Sequence, residues 1–260
     1  MIIKTVRTRV LVPPKDDLLM AIGKALKSVK ERSVVVVTSK VVSIWLGRCV
    51  PIVEIADKDE LIKAEADLYL PREVAPEALV MHTIKNNIFI PSAGVDESNA
   101  NGYYILWPKD SKRAAKKLWQ WFRANYGVKE LGIVISDSHT IPLRRGAMGI
   151  SLAYYGFNPL RDYRGKEDLF GRKLKMSQTD VADGLASAAV LTMGEGKEGT
   201  PVAVIEDIQG VEFLEKSKRF SKNEAFELKT KYDLYYPLLS SVRWRKGGGG
   251  YKLKRVRKTK

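Results

Sequence analysis

The sequence predicts a mixed α/β (α+β) protein, and three observations carry that prediction. Val34 to Val37 is an unbroken β-branched run, the pattern of a strand buried on both faces. Before it, Leu18, Leu19, Ile22, Ala25, Leu26 and Val29 recur at helical spacing. Residues 2–12 alternate as a half-buried strand does, so the chain opens as strand, helix, strand.

The remaining elements follow in order. Residues 16–30 form the first helix and residues 57–67 a second. Val80–Ile84 and Ile88–Pro91 flank Lys85-Asn86-Asn87, a hairpin turn because Asn tolerates positive φ. A helix runs from Ser111 to about Tyr126 with Leu118, Trp119 and Phe122 on one side, and Gly127 closes it. Leu131–Ile135 is a strand that ends in a Ser136-Asp137-Ser138 loop, and a small-residue strand lies near 146–154. Residues 158–176 read as loop. Thr179–Leu191 is a helix with Ala182, Ala186 and Ala189 on one face, capped at Gly194, and Val202–Ile205 is a further strand. The domain reading is one region over 1–210, with room for two subdomains, and a basic aromatic extension over 211–260 whose Gly247–Gly250 run is a flexible linker.

Composition narrows the class. Hydrophobic residues make up 45% and charged residues 29% of 260, a globular balance. No apolar run reaches the roughly 20 residues of a membrane span. The N-terminus lacks signal-peptide form, and the single cysteine, Cys49, excludes an internal disulfide and a cysteine-based zinc site. These features lead to the expectation of a cytoplasmic protein. The net charge is +15, but nine basic residues (Arg243, Arg245, Lys246, Lys252, Lys254, Arg255, Arg257, Lys258 and Lys260) lie in the last 18 positions with no acidic partner, which leaves +6 on residues 1–242. A nucleic-acid reading is therefore a reading of this tail, with Trp244 and Tyr251 to stack on bases; a solvated tail is the plainer alternative.

Two aspartates carry the first candidate chemistry. Asp96 lies in the turn Gly94-Val95-Asp96-Glu97-Ser98-Asn99 and Asp137 at the end of a strand, where loops open to ligands on a fixed backbone. Mg²⁺ and Mn²⁺ take oxygen ligands, and Ser138 and Glu195 offer two more. Taken alone, each aspartate reads equally as a turn residue capping its own backbone. Ser39-Lys40 after a buried strand suits phosphate, although no Gly-rich P-loop precedes it. Met193-Gly194-Glu195-Gly196-Lys197-Glu198-Gly199-Thr200 offers close backbone approach, or is an ordinary helix-to-strand loop. Arg144, Arg145, Arg161, Arg164 and Arg172 suit a polyanionic substrate or an ion-pair network. His139, beside Asp137, can act as acid or base.

Together these segments resemble one family. Thr38-Ser39-Lys40-Val41-Val42-Ser43, Ala93 to Asn99, Ile135-Ser136-Asp137-Ser138 with Pro142, Arg144 and Gly146, Leu160 to Lys166, Phe170-Gly171-Arg172, Asp183-Gly184-Leu185-Ala186 and Met193-Gly194-Glu195 are similar to motifs of the coenzyme F420-0:L-glutamate ligases, the CofE-like gamma-glutamyl ligases, over about residues 8–207. The resemblance implies an intertwined homodimer with the CofE-like fold. It implies GTP as co-substrate, Mg²⁺ or Mn²⁺, and K⁺ as an optional further ion. It also implies amide formation between L-glutamate and an acidic acceptor through an acyl phosphate. By motif, Asp96 and Asp137 correspond to ligands of one metal, Ser138 (in place of the usual Thr) and Glu195 to ligands of a second. Leu11, Val12, Pro13, Pro14, Ser39, Lys40, Asn99 and Met193 to Thr200 correspond to nucleotide contacts. Arg144, Arg161, Arg164 and Arg172 are the candidates for holding the acidic substrates, and His139 joins Asp96 and Asp137 as a candidate catalytic group. Two departures stand out. Ile44 replaces a usual lysine, which also motivates a nucleotide-binding member without catalysis. Asp137-Ser138-His139-Thr140-Ile141-Pro142 replaces Asp-Thr-Phe-Gly-Arg-Pro, so a folate-like or other acceptor stands beside F420-0.

Overall fold

The computed structural model describes residues 1–214 and 226–253. The elements run β1 (Ile2–Val6), α1 (Leu18–Ala25), β2 (Ser33–Thr38), α2 (Ser39–Leu46), β3 (Cys49–Pro51), α3 (Lys58–Glu65), β4 (Leu68–Tyr69), β5 (His82–Lys85), β6 (Ile88–Pro91) and β7 (Tyr103–Ile105). They continue with α4 (Ser111–Tyr126), β8 (Leu131–His139), β9 (Met148–Tyr155), β10 (Leu160–Asp162), β11 (Gln178–Asp180), α5 (Val181–Met193), β12 (Val202–Glu206), α6 (Tyr236–Leu239) and β13 (Arg245–Lys246). The expected mixed α/β class is what the chain adopts. It divides into two compact units: Met1–Leu11, Asp17–Val42 and Asp110–Phe226 in the first; Val12–Asp16, Ser43–Lys109 and Glu227–Lys260 in the second. Among the described residues no helix is long and apolar enough to cross a membrane.

The first unit is built on a five-stranded sheet in the order β1-β12-β2-β8-β9. Only β2 and β8 run parallel; the other pairs are antiparallel. Val34 to Val37 are fully buried in β2, as a strand covered on both faces requires. Val34, Val36, Val134, Ala203 and Ile205 pack against Ala182, Leu185, Ala186 and Ala189 of α5. The small face of α5 lets helix and sheet approach closely. At Gly149 of β9 an added Cβ would lie 2.5 Å from the Ala186 carbonyl oxygen, a backbone atom that cannot swing aside. Gly149→Ala is therefore expected to destabilise the protein by about 1–3 kcal/mol, the usual cost of overpacking, read as a lowered denaturant midpoint; an unchanged midpoint would contradict this packing. On β8 and β9, α4 adds a second layer, with Leu118 and Phe122 fully buried and Trp119 Nε1 donating to Leu131 O at 2.8 Å.

The second unit has a four-stranded sheet β13-β4-β5-β6, a two-stranded pair β3-β7, and a core of Val50, Leu61, Ile62, Met81, Val95 and Leu106. The expected hairpin is present, with Asn86 and Asn87 both at positive φ. Inside this unit Glu65 is fully buried between Arg48 (Nη2 to Oε1, 2.7 Å) and Lys85 Nζ on Oε2, and the Tyr251 amide donates to Oε1 at 2.7 Å. Burial alone would raise the Glu65 carboxyl; Lys85 and Arg48 outweigh it and hold it below the usual carboxylate range. The four glycines read as a linker instead donate to carbonyls at and just past the end of α3: Gly248 N to Lys63 O and Gly250 N to Ala64 O in its last turn, Gly249 N to Ala66 O and Gly247 N to Asp67 O beyond it. A Cβ on Gly247 would fall 2.1 Å from Ala66 O, so only glycine can lie so close.

Several boundaries differ from the sequence reading. The first strand stops at Val6. The first helix ends at Ala25, and Leu26 turns extended with its carbonyl taken by the Tyr126 hydroxyl at 3.1 Å. Residues 39–46 are helix α2, an element the sequence reading did not assign. The loop expected at 158–176 contains strand β10, which pairs with β11 just beyond the loop's end. Lys254, Arg255, Arg257, Lys258 and Lys260 of the basic tail lie outside the described residues.

Candidate active site

Strand β8 carries the central stretch of the candidate site. The sequence reading ended this strand at Ile135 and placed Asp137 in a loop; the structure corrects this. Asp137, Ser138 and His139 remain in β8, paired with Ile150, Gly149 and Met148 of β9. A β-bulge lies just before them, where Ile135 faces Ala153 but Ser136 faces Ser151. Alternation along β8 then places Ser136 and Ser138 on the α5 face and Asp137 and His139 on the other.

Glu195 follows the end of α5, on the same face as Ser138. Their side chains meet: Ser138 Oγ donates to Glu195 Oε2 at 3.0 Å. Asp137 Oδ1 accepts the Ser138 N–H at 3.0 Å. The loop from Met193 to Thr200 is shaped by its own bonds: Thr200 Oγ1 donates to Met193 O at 2.7 Å and Gly196 N to Glu198 Oε2 at 2.8 Å. Glu198 thus serves the loop. Thr8 N donates to Gly199 O at 3.2 Å, tying the loop to the segment that runs to Leu11, which is buried. Ser39, buried, and Lys40 form the first turn of α2, directly after the parallel strand β2. Burial holds His139 below the ordinary histidine value, so the neutral imidazole is favoured.

Within the arginine set, Arg164 is engaged with Asp162 (Nη2 to Oδ2, 2.5 Å), Arg161 lies 5.0 Å from the Tyr163 ring, and the Arg172 amide closes a turn on Asp168. Arg144 is exposed, its Nη1 donating to Leu143 O at 3.1 Å. Of these, Arg164 is held in an ion pair, while Arg161 and Arg172 are placed by a ring contact and a backbone turn.

In the second unit, Asp96 closes an Asx turn, accepting the Ser98 N–H at 2.7 Å, while its backbone bridges Ile105. Gly94, at φ +68°, cannot carry a side chain, because a Cβ would fall 2.1 Å from Trp107 Nε1. Asn99 has positive φ, and the Val12 amide, next to Pro13-Pro14, donates to Asp16 Oδ2 at 2.9 Å. Among the described residues no group of three His, Cys, Asp or Glu side chains converges as a metal cage would. The structure brings together Ser138 and Glu195, an all-oxygen pair that suits a hard cation sharing its shell with phosphate or water. Sequence reasoning quoted Ser136 and Asp183 within family-like motifs but gave neither a role, and it did not name Ser151, because a buried hydroxyl in a strand has no sequence signature.

Comparison with known proteins decides the family. The family model described as F420-0:Gamma-glutamyl ligase matches residues 6–207. The chain belongs to this family. It is 34% identical over 215 residues to the coenzyme F420:L-glutamate ligase of Methanopyrus kandleri, covering 76% of this chain and 83% of that one. The enzyme of the same name from Methanocaldococcus jannaschii is 32% identical over 170 residues (58% and 68%), and that of Methanothermobacter thermautotrophicus 29% over 213 (75% and 84%). The F420-0:gamma-glutamyl ligase match spans β1 to β12, so both units contribute to it, and the chain is an enzyme of the amide-forming ligase class. The segment from residue 208 onward lies beyond the match.

Proposed function

We propose that this protein joins L-glutamate to coenzyme F420-0 through a gamma-glutamyl amide, consuming GTP with Mg²⁺ or Mn²⁺, and K⁺ as an optional further ion, in the cytoplasm and as a homodimer. The observation that carries the reading is the Ser138–Glu195 hydrogen bond, which joins two motifs 57 residues apart into one oxygen-donor pair. A carboxylate is a poor acyl donor because oxide is a poor leaving group. An acceptor carboxylate oxygen attacks the γ-phosphorus of GTP, GDP leaves, and an acyl phosphate results. The glutamate amine then attacks the carbonyl, phosphate departs with the C–O electron pair, and the amine loses a proton to form the amide. Neutral His139 is the group assigned to take that proton. Asp96 and Asp137 are assigned to one divalent ion and Ser138 and Glu195 to another; bound there, the ions neutralise charge on the transferring phosphoryl group. Ser39 and Lys40, in the first turn of α2, suit a nucleotide phosphate, with Leu11 to Pro14, Asn99 and the Met193–Thr200 loop as its other contacts. Arg144, exposed and bonded through Nη1 to the Leu143 carbonyl, is the arginine assigned to the acidic acceptor.

The test is phosphate release from GTP in the presence of F420-0, Mn²⁺ and L-glutamate, with mass spectrometry of the product. The expected product carries one or more added glutamyl residues. Release without glutamate dependence, or none with F420-0 but turnover of a folate-like acceptor in the same panel, would overturn the assigned acceptor.

A further inference from the structure

Helix α5 does more than cover the sheet. Without the bulge, Ala153 and Ser151 would share a face; with it, Ser151 and Gly149 turn toward α5, opposite Ser136 and Ser138. Two side chains one helical turn apart on α5 grip this turned segment. Asp183 Oδ1 accepts the Ser151 N–H at 2.7 Å, and Ser187 Oγ donates to Gly149 O at 2.7 Å. Strand β9 ends the sheet, so no further strand is hydrogen-bonded to it there among the described residues. Ser136 and Ser151 are buried with hydroxyls that have no hydrogen-bond partner, and their register sets them side by side on the face that Asp183 closes.

We propose that Asp183 is a positioning residue: with Ser187 it pins the post-bulge register of β9 and so fixes Asp137 and Ser138 on β8 for phosphoryl transfer. A one-residue slip of β9 would carry Gly149 and Ser151 off the α5 face and leave the end of β8 without its partner. Asp180 is the charged group that reaches Asp183. It caps α5 by accepting the Asp183 N–H at 2.9 Å, while β9 presents the Ser151 amide to the Asp183 carboxyl. Burial, then the Asp180 carboxylate, pushes the Asp183 carboxyl up to about 7. In the protonated form one oxygen accepts from Ser151 and the hydroxyl donates to Asp180. An asparagine reproduces that pattern at every pH, its carbonyl accepting and its amide donating.

Activity depends on the ligase reading; the register does not, and the two are separable. Hydrogen exchange of the Ser151 amide, corrected for the intrinsic rate, needs no substrate. In the wild type its protection is expected to fall between about pH 6 and about pH 8, and in Asp183→Asn to stay level across that range. In turnover assays Asp183→Asn is expected to keep kcat near the wild-type value below pH 7. Asp183→Leu is expected to lose about a hundredfold in kcat, the cost of a small misplacement, with KM little changed. Ser151 protection that is the same in wild type and Asp183→Asn at both pH values overturns the proposal, even if Asp183→Leu fails to fold. Wild-type kcat retained by a folded Asp183→Leu overturns it equally. A wild type without glutamate ligation, but with the expected exchange pattern, would instead reject the ligase reading and leave the register assignment standing.

Discussion

Asp137→Asn is expected to lower glutamate-dependent phosphate release by about a hundredfold or more, the scale on which phosphoryl-transfer sites lose rate when a charge-stabilising group is removed. The substitution keeps the side-chain shape and an oxygen that can accept the Ser138 N–H, the bond that Oδ1 now makes at 3.0 Å. The strand should therefore survive, and the loss should lie in the missing negative charge. Two measurements separate this from general damage. The thermal midpoint should match the wild type, and the Mn²⁺ concentration for half-maximal rate should rise. Full turnover at ordinary Mn²⁺ would remove Asp137 from the metal role.

Glu65→Gln should produce the largest loss of stability among conservative substitutions in the second unit, about 3–5 kcal/mol by denaturant unfolding, because it leaves Arg48 and Lys85 buried without their counter-charge. An exposed comparison is at hand: Glu60→Gln removes the Glu60–Lys63 surface pair, whose loss should stay within about 1 kcal/mol. Equal shifts in the two variants would show that the buried triad does not stabilise this unit. The sign with pH follows from the lowered Glu65 carboxyl. A carboxyl held below its unfolded value contributes stability above that unfolded value, and the contribution is lost as pH falls through the folded one. The wild type should therefore lose stability toward acid more steeply than Glu65→Gln.

Much of this was legible in the sequence where one physical rule acts locally. Val34 to Val37 could only be a doubly buried strand, Ser111 to Tyr126 showed its apolar stripe and its glycine cap, and Asn86-Asn87 announced their turn. The site was legible as motifs, which named Ser138 and Glu195 before the hydrogen bond between them was seen. What escaped depended on tertiary partners. Asp137 looked like a loop residue because Ser-Asp-Ser favours turns, yet pairing with β9 overrides that preference. The β-branched Val41-Val42 disguised helix α2 for the same reason. The bulge leaves no local signal, and Asp183, visible within a motif, shows nothing there of the strand it grips.

The glycine run at 247–250 has a consequence for how this chain can be divided. The match to the ligase family ends at residue 207, whereas the backbone amides that bond the carbonyls at and just past the end of α3, and one of the donors to its buried carboxylate, come from residues 247–251. The limit of homology is thus not the limit of the cooperative folding unit. A chain trimmed to the family-matching segment would expose the carbonyls at the end of α3 and strip Glu65 of its amide donor.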